Sequence, residues 1–228
     1  MTISNTDRRA FIGAGALVAG AGLVATAACA QESGGSAWAP TPEKIDDWMD
    51  KPGTRHRFAF DTTSASAFGE ALFFAKNFYV ANKSGYGLDP EALGVIIVAR
   101  HMSTPLGYSE AVWAKYGATL SKIAQLDGDN AELGKTRNPM FAAKEGDAGG
   151  MNAGANISAL ADKGTRFAVC GMATTLFAGM LAKGAGMSAS EMEDYLKANL
   201  VPGGVIVPAG IVAVNRAQEH GYAFSYVA

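Results

Sequence analysis

From Arg57 onward, the apolar positions of this chain alternate between two patterns. Short, nearly continuous apolar runs suit strands buried in a sheet, and longer segments with an apolar residue every three or four places suit helices. The first strand is Arg57–Asp61. Ser64 caps a helix over about Ala65–Asn82, with Phe68, Leu72, Ala75 and Tyr79 along one stripe, closed by Gly85 and Gly87. Leu93–Ala99 is an unbroken apolar run, which fits a strand covered on both faces of a parallel sheet. Ser109–Tyr116 reads as a short helix. After an irregular stretch, Ile157–Lys163 ends another helix and Thr165–Cys170 is a strand. Met172–Lys183 is an apolar helix stopped by Gly184 and Gly186. Ser188–Asn199 is a helix whose Ser188 and Glu191 form a capping box. Val205–Val207 and Tyr222–Val227 are strands flanking the helix Ile211–His220. Strands separated by helices predict one α/β domain of three layers, Rossmann-like, around a mostly parallel sheet of about five strands.

Two regions fall outside this rhythm. Residues 117–153 carry Asp127-Gly-Asp-Asn130, Asn138-Pro139 and Gly146-Asp-Ala-Gly-Gly150, and are expected to be an inserted loop (118–153), either a lid or surface decoration. Residues 31–55 are expected to be a flexible tether with one short helix, capped by Thr41 with Pro42 at its first position.

Ahead of the tether, Arg8-Arg9 precedes the apolar stretch Ala10–Ala28, and Ala28-Cys29-Ala30 has the small-x-small form that signal peptidases cut. Phe11 also fits a twin-arginine pattern, while Asp7 departs from it. Residues 1–30 are therefore expected to be a twin-arginine signal, cleaved near Ala30, that sends a folded domain to the periplasm. The alternatives are an uncleaved anchor, weakened by Gly13, Gly15, Gly20 and Gly22, and a lipoprotein attached through Cys29.

Cleavage would leave 17 Lys and Arg against 20 Asp and Glu, a net charge of −3, from the 19 and 21 of the full chain. A mildly acidic domain has no electrostatic reason to bind nucleic acid or anionic lipid, so neither nucleic acid nor membrane is expected as a partner. Cleavage would also leave Cys170 as the single thiol, unable to form an internal disulfide.

In an open parallel sheet, ligands bind beyond the carboxyl ends of the strands. Asp61-Thr62-Thr63, Arg100–Thr104, Cys170-Gly171 and Pro208-Ala209-Gly210 all reach that edge. Cys170 precedes a helix, whose first-turn dipoles favour thiolate. The plain alternative is a small buried hydrophobe. His101 follows a strand and suits acid–base work near neutral pH, or else simply bonds a loop carbonyl. Arg100, Thr104, Gly171, Thr174 and Thr175 could hold an anion at the same edge. Met102, Met140, Met151 and Met172 beside His101 and Cys170 would suit copper, but methionine is usually core filler and no pair has tight ligand spacing. No cofactor is expected.

Three stretches carry a resemblance. Val98-Ala-Arg-His101 with Ala111-Val-Trp113-Ala-Lys-Tyr116-Gly117, Gly164-Thr-Arg-Phe-Ala-Val-Cys170, and Val205-Ile-Val-Pro208-Ala-Gly210 with Gln218-Glu-His-Gly221-Tyr222 resemble an exported branch of the DsrE/DsrF-like family. The likeness covers most of residues 57–228, outside the insertion. It implies a compact α/β domain in a trimeric or hexameric homo-oligomer. It also implies, by analogy with sulfur-relaying members, a persulfide on Cys170 passed to or from a partner protein, with His101 assisting. A non-catalytic oligomer that binds a small ligand or anion remains open beside this reading. A copper or haem protein is the least favoured. The residues do not decide whether the chain is an enzyme.

Overall fold

The computed structural model describes residues 39–143 and 154–228, so the proposed signal and Met151 lie outside the described residues. Residues 40–228 form one unit. Five strands, β1 (His56–Thr62), β2 (Leu93–Ala99), β3 (Arg166–Cys170), β4 (Gly204–Val207) and β5 (Ala223–Val227), make one sheet in the order β4-β3-β2-β1-β5. Every pairing is parallel. The expected α/β sheet is therefore the observed one.

The helices are α1 (Ala65–Tyr86), α2 (Glu110–Ile123), α3 (Gly128–Gly134), α4 (Ile157–Ala161), α5 (Gly171–Ala185), α6 (Ala189–Ala198) and α7 (Gly210–Glu219). From β1 to β4 the chain steps across the sheet in one direction, so right-handed crossovers stack their helices on one face. The last step, β4 to β5, runs back over three strands and must place α7 on the opposite face. The two cores reflect this. Phe60, Val95, Ile97, Phe167 and Val169 pack with α1, α2, α5 and α6. Ala59, Ile96, Val98, Ala168 and Val207 pack with α7, Met49 and Tyr222.

Several element ends differ from expectation. Ser64 does cap α1, accepting from the Ala67 amide at 3.1 Å. The helix nonetheless runs past Asn82, because Gly85 in a helix costs only about 1 kcal/mol. It stops at Gly87, which takes the left-handed conformation. Helix α2 continues through Gly117 to Ile123. A Cβ at Gly117 would run into the carbonyls of Gly134 and Lys135, so this glycine permits close packing of α2 on the α3 end and is no terminator. Part of the expected 118–153 loop is thus helical, while residues 144–153 lie outside the described residues.

The expected tether also differs. Residues 40–55 belong to the domain, with a 3₁₀ helix at Lys44–Met49. Met49 is fully buried in the α7-face core, and Trp48 packs against it. Among the described residues, no helix is long and apolar enough to cross a membrane.

Candidate functional site

Side chains alternate between faces along a strand, and the two cores fix which face is which. Asp61 shares the α7 face with Ala59, and Cys170 shares it with Ala168. Val169 pairs with Ala99, so the next position on each strand sets Cys170 beside Arg100. On the other side, Cys170 pairs with Val207. The strand order thus brings Arg100 and Cys170 to neighbouring positions at the carboxyl edge.

Arg100 is fixed from two sides. Its Nε and Nη2 donate to Oδ1 and Oδ2 of Asp61, each at 2.7 Å, a two-pronged charge-assisted pair. The Asp61 side chain is 3 % exposed and that of Arg100 25 %. The arginine stem lies against Gly210 at the start of α7, where a Cβ would come within 2.9 Å of Arg100 Cδ and closer still to its Cβ. The Asp61 hydrogen bonds hold the guanidinium pKa above its ordinary value against the opposing effect of burial, with smaller contributions from Asp61's charge, Tyr226 and Cys170. Tyr226 pairs with Asp61 across β5 and β1 and shares a hydrogen bond with Thr63 at 3.0 Å.

Cys170 ends β3 and precedes α5. Its side chain makes no cap hydrogen bond to the helix, and the residue is 7 % exposed. Gly171 follows with no room for a side chain, since a Cβ would lie 2.7 Å from the Val207 carbonyl oxygen. The Met172 amide donates to the Pro208 carbonyl at 3.3 Å, fastening the start of α5 to the end of β4.

On the other face, Tyr108 donates to Thr174 Oγ1 at 2.9 Å, and that hydroxyl donates to the Cys170 carbonyl at 2.9 Å. Burial pushes the Tyr108 phenol well above its ordinary pKa, so it stays protonated and donating. Thr174 is committed to this chain of bonds. Thr104 is fully buried, and its hydroxyl donates to the Ala99 carbonyl at 3.3 Å. Thr175 bonds the Gly171 carbonyl and Glu193.

His101 stands apart from this group. It is exposed, opens a 3₁₀ helix over His101–Gly107, and has a left-handed φ of 55°. Among the described residues, no hydrogen bond or ion pair joins its ring to Cys170 or to any other side chain. The methionines are dispersed: Met140 is core on the α1 side and Met172 projects from α5. No group of three or more His, Cys, Asp or Glu among the described residues could hold a metal ion.

Sequence reasoning placed Asp61 at this edge but gave it no role. The signal was present: one acid at the end of the apolar strand Phe58-Ala-Phe-Asp61 needs a cation, and Arg100 stands just after the next strand.

The fold and edge together define an α/β domain with one thiol and one ion pair on its carboxyl rim. No family model matches the chain, and no curated protein matches it. A solved structure of a protein of unknown function, MTH1491 from Methanobacterium thermoautotrophicum, is similar at 15 % identity. The match covers 75 % of this chain and 98 % of that one, with a TM-score of 0.33.

Proposed function

We propose that this chain is an exported, DsrE/DsrF-like protein whose Cys170 carries sulfane sulfur. The observation that carries the reading is the register that sets Cys170 beside Arg100 at the carboxyl edge of the sheet. A neighbouring guanidinium draws anionic sulfur donors to the rim. With thiosulfate as donor, the Cys170 thiolate attacks the outer sulfur. A new S–S bond forms, the donor's S–S bond breaks, and sulfite leaves with the bonding pair. Cys170 becomes a persulfide anion, and no outside oxidant or reductant is consumed. Arg100, in place of His101, is the group that attends the thiol. As the one thiol left after signal cleavage, Cys170 would pass its sulfur to a partner protein's cysteine.

The proposal includes a homo-oligomer of three or six chains. In its support, Met172, Leu176 and Met180, one turn apart along α5, are 70 %, 61 % and 51 % exposed. Apolar residues at that spacing on an open face suit burial against another copy.

The test is mass spectrometry of the signal-free protein after incubation with thiosulfate or polysulfide. A gain of about 32 Da, one sulfur atom, is expected on Cys170 and is absent in Cys170→Ser. No gain under conditions that load a small-molecule thiol overturns the reading. The burial of Cys170 favours a second one, a non-catalytic module that binds a small anion at this rim. A thiol that reacts with iodoacetamide only after denaturation selects that alternative.

A further inference from the structure

We propose that the amino end of the sheet holds a second site, a pocket for a small oxyanion held between the Arg166 guanidinium and the Lys51 ammonium. A cavity of about 230 Å³ opens there, lined by Trp48, Lys51, Gly94, Gly164, Arg166 and Tyr222. It lies on the α7 face, at the opposite end of the strands from Cys170. Gly94 and Arg166 share that face with Ile96 and Ala168.

The cavity follows from the local sequence. Gly94 opens the row on β2, and a Cβ there would approach Tyr222 Oη to 3.2 Å and Arg57 Cγ to 3.3 Å. Gly164 has φ +88°, and a Cβ there would lie 3.2 Å from Lys51 Nζ. The 3₁₀ helix Lys44–Met49 brings Trp48 and then Lys51 to the wall.

The charges around the cavity are unbalanced. Arg166 Nε is buried and has no hydrogen-bond partner, and no ion pair to Arg166 forms among the described residues. A buried donor left unmade is costly, which favours a missing acceptor. Lys51 Nζ donates to the carbonyls of Pro90 at 2.9 Å and Leu93 at 3.2 Å, which leaves one of its three protons. Burial lowers the Lys51 pKa and Glu91 opposes that, so the ammonium is held with little compensation.

The other charges nearby are spent. Arg57 pairs with Asp50 at 2.8 Å, Asp50 also meets His220 Nδ1 at 3.0 Å, and the Arg57 guanidinium lies 5.6 Å from the Tyr222 ring centre. Tyr222 donates to the Met49 carbonyl at 2.6 Å and serves as wall. Glu91 acts on Lys51 through its charge and forms no ion pair with another cation among the described residues. At about 30 Å³ per water, the cavity holds roughly eight waters. That suits phosphate, sulfate or a small carboxylate, and is too small for a nucleotide.

The experiment titrates the signal-free protein with inorganic phosphate, sulfate and benzoate, each against sodium chloride at equal ionic strength, and reads heats of binding and thermal midpoints. At least one anion is expected to bind saturably, and benzoate against phosphate separates a ring-bearing carboxylate from an inorganic ion. Arg166→Gln is expected to weaken binding by about tenfold or more, since a charge-assisted hydrogen bond carries at least 1.4 kcal/mol. Lys51→Gln, on the outer wall, weakens it similarly and decides the matter should Arg166→Gln not fold. Cys170→Ser binds as the parent does. No binding of any of the three beyond chloride, or unaltered affinity in the folded variants, overturns the proposal.

Discussion

Replacing Asp61 by asparagine keeps the shape of the side chain and removes its charge. The parent carboxylate accepts two hydrogen bonds from Arg100 at 2.7 Å, from a position only 3 % exposed. Breaking a buried pair by removing one partner costs about 3–5 kcal/mol, because the surviving charge is stranded. Arg100 is 25 % exposed and can recover part of its hydration by turning outward, which brings the expected loss to about 2–3 kcal/mol. With a urea slope of about 2 kcal/mol/M, the unfolding midpoint should fall by about 1–1.5 M with the slope unchanged. The double variant Asp61→Leu with Arg100→Met leaves no stranded charge and should lose less than Asp61→Asn alone. Urea unfolding followed by circular dichroism measures both. A midpoint shift below about 0.3 M for Asp61→Asn would show that the guanidinium does not depend on this carboxylate, and would refute the argument.

Two further outcomes follow from single positions. Gly210→Ala puts a Cβ against the Arg100 stem and should cost about 1–3 kcal/mol by overpacking, whereas Gly179→Ala on α5 meets nothing within 4 Å and should gain about 0.5–1 kcal/mol; equal effects in thermal melts would rule out the steric account. Burial pushes the Tyr222 phenol from 10.0 up to about 12, so the folded state favours its neutral form. That stabilisation is complete below pH 10 and lost as pH rises to 12, so the stability gap between parent and Tyr222→Phe should close across this window in urea titrations; a gap that stays constant contradicts it.

The fold was legible because each element carries its own period. Leu93–Ala99 fitted a doubly covered strand and is one, and Ser188 with Glu191 read as a capping box, as their reciprocal bonds show. Strand order is a property of pairs of elements, and nothing local to Cys170 or Arg100 says that β2 and β3 are neighbours. The thiol's position at a strand end was therefore readable, while its company was not. His101 looked the more chemical residue by type, yet it follows Arg100 by one position, takes a left-handed backbone and stands exposed, outside the row that Arg100 occupies. The helix from Ser109 was expected to end at Tyr116, but Gly117 continues it and acts as a packing contact, a role that only the facing carbonyls of Gly134 and Lys135 settle.

The return crossover explains why the charged groups gather on one face. The α1 face is covered by α1, α2, α5 and α6 along most of its length, and its strand rows are apolar apart from Thr62 and Ser225, with no ionisable side chain beyond the exposed His56 at the start of β1. On the other face, α7 is the one α-helix among the described residues that packs on the sheet, and together with Met49 and Tyr222 it dries the middle rows of Ala59, Ile96, Val98 and Ala168. One helix of ten residues spans about 15 Å, so other segments, the Lys44–Met49 3₁₀ helix among them, complete the cover at the ends of that face. Arg57 and Arg166 occupy one end, and Asp61, Arg100 and Cys170 the other. A charge under a four-helix layer would have lost its water without compensation. At the ends of α7 it keeps either a paired counter-charge, as Arg100 does, or access to a solute anion, as Arg166 does. The position of a single crossover helix thus accounts for both candidate sites and for their separation by the length of the strands.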